Sequence, residues 1–518
     1  MSNPTNSTTP VSHSGRFLVN VIWNWAAVVV NVFTAFFLSP FVIRKLGDDN
    51  YGLWALTVSL AEYYWLMDLG FRSATVKFSA HYVTTGEKER VNEILNTALF
   101  YSACIGPLIL IGNYFLLPRI AAFMHIANPL FPKLVTIVVT AWVLGSLFNV
   151  FIACLEGFQR FDLTNRITLI GMAVRSTGTA LLLWRGYGVL EIALMSVLAQ
   201  VIMHLLSLFA FRHIFPEMRL SRVFVKLSAM KTMLKYGSHS VVASLAQRVL
   251  NQGPMLVIGS LLPAKFVGYY AAPSRMLDYT VDAIGRIGMV SNPNAAEYVA
   301  SDNYKRLVNL SVTTNRYGLA IYLPLSLFLL VYGPALLAVW INPAFAAASS
   351  GVLVALVIGV TIAQAGQYSS GSILFGMGRH QIYSRALLVE AAAVIGGIAL
   401  VIPHFGVTGA AWVISGLMLL NRGALTAFLI SRELKISYLW FLANVYQPLL
   451  AALPAGLLLY ALRVTVLPGR NWQQLILAGA ITVACYAPVA FFTSLHSYHR
   501  ELLIDRLQRR PLLSTKQA

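Results

Sequence analysis

Charged residues are scarce in this sequence. Only 11% of its 518 residues are Asp, Glu, Lys or Arg, whereas a soluble globular chain averages about 25%. The charged residues present are clustered between apolar runs of about 20 residues or more, the length that a helix needs to cross a hydrocarbon core. This distribution excludes an ordinary soluble protein and predicts a polytopic membrane protein.

Motifs for catalysis are also lacking. The three cysteines, Cys104, Cys154 and Cys485, lie far apart inside apolar runs, which favours small buried side chains over a disulfide framework or a metal site. The sequence contains no Walker-type phosphate loop, no HExxH and no GxSxG motif. We therefore predict no catalytic residue, no metal and no cofactor.

Positive charge dominates, with a net charge of +19. We interpret this excess as the Lys and Arg bias of cytoplasmic loops and not as a nucleic-acid-binding surface, because alternate loops differ about threefold in these residues. The bias predicts a multi-pass membrane protein with both termini in the cytoplasm. The densest loop, 212–235, is predicted to anchor the protein on anionic lipid.

The apolar pattern contains an internal repeat. Segments recur at a shift of 216–219 residues: 46–52 at 262–268, 81–90 at 297–306, 155–166 at 374–385, and 188–189 at 406–407. Each repeat holds six predicted spans, so both halves enter from the same side and are parallel. The predicted segments are a disordered cytoplasmic N-terminus (1–15), an N-lobe of helices 1–6 (16–211), a basic cytoplasmic linker (212–235), a C-lobe of helices 7–12 (236–435), helices 13 and 14 (436–495) and a cytoplasmic tail (496–518).

Ionisable side chains inside predicted spans are candidates for function, because they are costly in lipid. Arginine outnumbers lysine at these positions, and a guanidinium binds phosphate oxygens in a bidentate manner. A phosphate-bearing substrate is therefore favoured over a cation. Buried ion pairs and snorkelling toward the interface are the alternatives. The arginines are Arg175, Arg248, Arg275, Arg286, Arg316 and Arg422.

Carboxylates and amides accompany these arginines. Four residues of the eighth span, Arg275, Asp278, Asp282 and Arg286, share one helical face and either neutralise one another or face a watery cavity. Asparagines in the first span either hydrogen-bond to neighbouring helices or contact sugars. The candidates for cavity polarity or ion coupling are Asn24, Asn31, Glu62, Asp68, Asp278, Asp282 and Glu390.

Three motifs near the N-terminus resemble a known family: residues 41–47 (FVIRKLG), 51–54 (YGLW) and 66–70 (LMDLG). They are similar to the Wzx-type polysaccharide flippases of the multidrug/oligosaccharidyl-lipid/polysaccharide superfamily. The resemblance implies two six-helix lobes around a central cavity, plus two C-terminal helices. It also implies that an undecaprenyl-diphosphate-linked oligosaccharide moves from the inner to the outer leaflet during exopolysaccharide, capsule or O-antigen biosynthesis.

In that setting Arg248, Arg175, Arg275 and Arg316 are the predicted diphosphate-binding residues. A polysaccharide polymerase and a chain-length or export protein are the expected partners, and nucleic acid is not one. Three alternatives stay open: a cation-coupled multidrug antiporter of the same superfamily, a membrane enzyme, and a flippase for the cell-wall precursor.

Overall fold

The computed structural model describes residues 30–34, 36–126, 128–289, 291–495 and 499–501, and within them the chain is mostly α-helical, with short turns and linkers between the helices. Within these residues, eight helices are long and apolar enough to cross a membrane, and a bent pair, Tyr438–Val445 with Leu449–Thr465, makes nine. One of the eight, Gln381–Glu433, contains two apolar runs, 384–403 and 406–430, that each predict a span and that meet at a kink at Gly406. The prediction of an all-α polytopic membrane protein is confirmed, and fourteen spans are compatible with it.

The helices form because the apolar runs leave no water for backbone groups, which must then be paired within the segment. The chain divides into two compact units, Met1–Val267 and Gly268–Ala518. The first unit contains α1 (30–34 and 36–46), α2 (Asp48–Ala61), α3 (Phe71–Thr84), α4 (Lys88–Phe123), α5 (Leu130–Gly157), α6 (Phe161–Trp184), α7 (Val189–Ile214) and α8 (Leu227–Leu261), and ends at the start of α9.

The second unit contains most of α9 (Ala264–Met289), then α10 (Ser291–Ala300), α11 (Tyr304–Trp340), α12 (Pro343–Gly359), α13 (Ser370–Gly376), α14 (His380–Met418), α15 (Thr426–Glu433), α16 (Tyr438–Val445), α17 (Leu449–Thr465) and α18 (Trp472–Ser494). Two short π-helical segments lie between helices of this unit: Val360–Ala365 follows α12, and Leu419–Leu425 joins α14 to α15. The division falls beyond the predicted linker at 212–235, because α8 packs along α2 and α3 of the first unit.

The predicted repeat is visible in the turns that end equivalent helices. After α3, the backbone N–H of Glu87 donates to the carbonyl of Tyr82 (2.9 Å), and after α10 that of Asn303 donates to Tyr298 (2.8 Å). The turns after α5 and α13 match in the same way: Arg160 to Leu155 (2.9 Å) and Arg379 to Leu374 (2.8 Å). These six-to-one closures stop each helix with a residue in the left-handed region. The repeated sequence therefore encodes repeated helix ends.

The cysteines differ from one another. Cys154 is buried in the core of the first unit, as expected, but Cys104 is exposed and Cys485 is half-exposed. The expectation of burial is wrong for Cys104, because an apolar residue in a membrane helix can face lipid as readily as protein.

Candidate functional site

The second helix is broken in the middle. A 3₁₀ turn, Glu62–Asp68, follows α2, and two successive left-handed residues, Leu69 (φ 46°) and Gly70 (φ 78°), precede α3. The apolar run 51–70, which by itself predicts one span, is therefore only the first part of a longer element that continues to Thr84. Non-helical backbone at membrane depth is tolerated only where protein or a watery cavity covers it, which marks this break as a candidate site.

Nearby side chains satisfy the polar groups that the break exposes. Asp68 accepts a hydrogen bond from the backbone N–H of Arg72 (3.2 Å), which lies in the first turn of α3. The hydroxyl of Tyr101 donates to the carbonyl of Met67 (2.6 Å). Arg72 in turn forms an ion pair with Glu156 of α5 (2.6 Å). Asp68, predicted for cavity polarity or ion coupling, thus makes a backbone contact that stabilises the break.

Helix α8 runs antiparallel to α2 and α3. Three contacts show this in order: Gly52 lies against Ala264, the first residue of α9 just beyond α8; Ser59 donates its hydroxyl to the carbonyl of Gln252 (2.9 Å); and Gly70 lies against Gly237. The last contact is between two backbones, because a Cβ built on Gly70 would lie 2.5 Å from the Cα of Gly237. The broken segment from Gly52 to Gly70 is therefore in register with residues 237–264, which run from within α8 to the start of α9.

This register brings together two residues that the sequence singled out separately. The guanidinium of Arg248 on α8 forms an ion pair with the carboxylate of Glu62, the first residue of the 3₁₀ turn. It also lies over the ring of Trp65, 4.8 Å from the centroid, within the range of a cation–π contact. The Arg248 side chain is 25% exposed and that of Glu62 is 40% exposed. Both charges thus remain accessible to a ligand.

The helical face around Arg248 is polar, a feature that the sequence reasoning missed. Gln247 and Asn251 are exposed, and the Gln247 amide donates to the Asn251 side chain (2.9 Å). Residues at i, i+3 and i+4 share a face, so the spacing of 247, 248 and 251 could have revealed it. The run 236–262 of α8 predicts a membrane span, and an exposed polar face within such a run indicates contact with water or with a polar ligand.

The other predicted residues of the first unit lie elsewhere. Arg175 is exposed on α6, which packs chiefly on α5 and α7, and the described residues offer it no carboxylate partner. Asn31 is half-buried on α1. Asn24 lies outside the described residues. The structure does not join these residues to the Glu62–Arg248 pair through a direct contact among the residues it describes.

In the second unit, only two of the four charged residues predicted to share one face of α9 have described side chains. Arg275 is half-buried and Asp278 is exposed, while the side chains of Asp282 and Arg286 lie outside the described residues. That these four residues neutralise one another stays a prediction.

Arg316 packs toward the C-terminal helices. Its guanidinium donates to the Asn444 carbonyl (2.5 Å) and to the Asn444 side chain (2.8 Å), and Asn444 belongs to α16. These contacts attach α16 to α11 and occupy two of the three guanidinium nitrogens, so they favour a packing role for Arg316.

Glu390 is the centre of a buried polar cluster in the second unit. Its side chain is 1% exposed and forms an ion pair with Arg422 (3.2 Å), whose side chain is 11% exposed. The Asn421 amide also donates to this carboxylate (2.6 Å). Arg422 and Asn421 lie in the π-helical segment, whose wider turn often marks a functional site. Arg422 is therefore buried against a carboxylate and does not snorkel.

We expect Glu390→Gln to destabilise the second unit strongly, because it leaves the buried guanidinium of Arg422 without a counter-charge. The expected loss is about 3 kcal/mol, measured as the shift in thermal unfolding of the purified protein in detergent. The control is Glu433→Gln, which breaks the ion pair with the exposed side chain of Arg379. That change should cost less than about 1 kcal/mol. Equal shifts for the two variants would contradict the buried-pair assignment.

Comparisons with known proteins bear on the broken helix and α8. A family model described as "Polysaccharide biosynthesis protein" matches residues 17–299, which include both elements. A Bacillus subtilis (strain 168) protein described as "Uncharacterized membrane protein EpsK" is 23% identical over 95% of this chain and 98% of its own. A "Putative O-antigen transporter" of Shigella flexneri is 22% identical over 66% of this chain and 80% of its own.

The fold also matches solved structures. A structure titled "Lipid II flippase MurJ, inward closed conformation" superimposes with a TM-score of 0.71 and covers 94% of this chain and 100% of its own. At 15% identity this likeness concerns the fold alone.

Proposed function

This chain belongs to the polysaccharide biosynthesis protein family, and we propose that it moves an undecaprenyl-diphosphate-linked oligosaccharide from the inner to the outer leaflet of the cytoplasmic membrane. The observation that carries the proposal is the accessible arginine Arg248 on the polar face of α8, within the run 236–262 whose apolar character predicts a membrane span. An anionic headgroup that crosses an apolar layer about 30 Å thick needs compensating positive charge along its path.

In this proposal the carboxylate of Glu62 occupies the place of the substrate diphosphate as the partner of Arg248. This carboxylate neutralises Arg248 while the site is empty. A diphosphate offers more oxygens and more negative charge, so it displaces Glu62 and binds the guanidinium with charge-assisted hydrogen bonds. The ring of Trp65, 4.8 Å away, keeps the guanidinium in place during the exchange.

The polar groups next to Arg248 suit the sugars. Gln247 and Asn251 offer amide donors and acceptors that exchange their mutual hydrogen bond for sugar hydroxyls. The lipid tail stays in the bilayer, because its apolar surface gains nothing from a polar path. A polymerase and a chain-length or export protein would then take the oligosaccharide on the outer face.

A cation antiporter is the weaker candidate. A cationic drug needs a carboxylate that is free to bind it, whereas Glu62 is neutralised by Arg248 and Glu390 by Arg422. Of the described carboxylates, the accessible one at the helix break, Glu62, is thus paired with Arg248. This pairing favours an anionic substrate.

A clean deletion of the gene tests the proposed function. We expect loss of surface polysaccharide and accumulation of lipid-linked repeat units on the cytoplasmic face, because synthesis continues while translocation stops. The location is measured in right-side-out membrane vesicles, by labelling the glycan with an impermeant oxidant before and after permeabilisation. Complementation with the intact gene is the control. Normal polymer with normal lipid-linked pools would contradict the proposal.

A further inference from the structure

The basic linker between α7 and α8 is held against α4 in a fixed register. Two asparagines of α4, Asn92 and Asn96, are buried and lie one helical turn apart. Each binds the linker backbone with both ends of its amide. A segment that only connected two helices would not need two buried asparagines, so the linker conformation is specified.

The hydrogen bonds define this register. The Asn92 amide donates to the carbonyl of Glu217 (3.1 Å) and accepts from the N–H of Arg219 (2.9 Å). The Asn96 amide donates to the carbonyl of Arg219 (2.8 Å) and accepts from the N–H of Ser221 (2.9 Å). Further along, the Thr97 hydroxyl accepts from the N–H of Lys226 (3.2 Å). The backbone at 217, 219 and 221 therefore faces α4.

With the linker backbone held by these hydrogen bonds, which we call the asparagine clamp, several apolar side chains remain exposed in the linker and at the start of α8. Leu220 is 59% exposed, Val223 is 73% exposed and Leu227 is 66% exposed. Phe215 and Met218 of the same segment are buried in the core of the first unit. Three large apolar side chains within eight residues are thus exposed in a segment that follows a candidate span, an arrangement suited to contact with lipid acyl chains.

Cations alternate with the exposed apolar residues. Arg219, Arg222, Lys226 and Lys231 are exposed, and no carboxylate of the described chain pairs with them. The nearby acid, Glu217, forms an ion pair with Lys88, and the Lys88 ammonium holds the pKa of that carboxyl below its usual range. The surface thus carries several positive charges without an internal counter-charge.

The sequence predicts that the loop 212–235 lies on anionic lipid; we propose that within it residues 219–231 form the specific docking site for anionic phospholipid, with apolar as well as charged contacts at the membrane surface. The side chains of Leu220, Val223 and Leu227 enter the boundary between headgroups and acyl chains, while the cations bind lipid phosphates. The segment follows α7, a candidate membrane span, so its N-terminal end is tethered to the bilayer. That tethering favours lipid over an acidic soluble protein. The inference is independent of the transported substrate.

The test measures binding of phosphatidylglycerol and phosphatidylcholine to the purified full-length protein by native mass spectrometry. We expect a preference for phosphatidylglycerol in the intact protein. The triple variant Arg219→Gln, Arg222→Gln and Lys226→Gln should weaken phosphatidylglycerol binding by about 100-fold, since each cation near a charged membrane contributes about fivefold. The matched control is Lys305→Gln, Arg306→Gln and Arg385→Gln, which removes three exposed cations elsewhere and should leave the preference nearly unchanged.

A second variant separates the apolar contribution. Leu220→Ser, Val223→Ser and Leu227→Ser should weaken binding of both lipids at high salt, where the charge contribution is screened. Equal affinity of the intact protein for the two lipids, or an equal loss in the matched control, would overturn the proposal. Displacement of bound lipid by an acidic soluble protein would also overturn it in favour of a protein partner.

Discussion

Replacing Arg248 with alanine should abolish translocation of the lipid-linked oligosaccharide. The change removes the guanidinium that is proposed to bind the diphosphate and leaves Glu62, whose carboxylate then repels the substrate. Two charge-assisted hydrogen bonds, each worth about 1.5–3 kcal/mol, predict at least about a 100-fold loss of transport. The measurement is the rate at which repeat units reach the outer leaflet, normalised to the amount of folded protein.

Three further variants separate binding from folding. Arg248→Lys keeps the charge but loses the bidentate geometry, so it should retain part of the activity. Glu62→Gln removes only the carboxylate that pairs with Arg248 and should maintain or raise affinity for diphosphate. The double variant Arg248→Ala with Glu62→Gln leaves no uncompensated charge, so it should recover stability without recovering transport. Normal transport by Arg248→Ala at a normal protein level would refute the assigned role.

Adding a single methyl group at Gly70 should destabilise the first unit more than the same change at Gly86 or at Gly237. Gly70 has a positive φ of 78°, and a Cβ there would lie 2.5 Å from the Cα of Gly237, which cannot rotate away. Left-handed strain of about 1–2 kcal/mol and overpacking of about 1–3 kcal/mol predict a loss of about 2–5 kcal/mol for Gly70→Ala. Thermal unfolding of the purified protein, followed by size-exclusion chromatography, measures it.

The two comparison variants divide this loss into its causes. Gly86→Ala has a similar φ of 76° with nothing within 4 Å, so it reports strain alone. Gly237→Ala lies inside α8, where its Cβ would overlap the carbonyl of Leu69, so it reports overpacking alone. The sum of the two should approach the effect of Gly70→Ala. If Gly70→Ala is no worse than Gly86→Ala, the close crossing of the broken helix and α8 is not as tight as described.

Glu62 and Arg248 illustrate how far the sequence reaches. Each could be identified from the linear sequence, because an ionisable residue within an apolar run needs no structure to be recognised. Their pairing could not, because the sequence repeat assigned them to different lobes, whereas packing of α8 on α2 and α3 puts both in the first unit. Glu390 and Arg422 were likewise visible singly, and only folding makes them partners.

The sequence by itself determined the helical membrane class, the repeat and the positions of the costly charges, because the spacing of apolar runs and the free-energy cost of burying charge act locally along the chain. The tertiary structure decided the break at Glu62–Asp68, the clamp of Asn92 and Asn96 on the linker, and the partner of each paired arginine. Those features depend on which helix faces cross and on which backbones approach within contact distance. A hydropathy pattern carries no information on either.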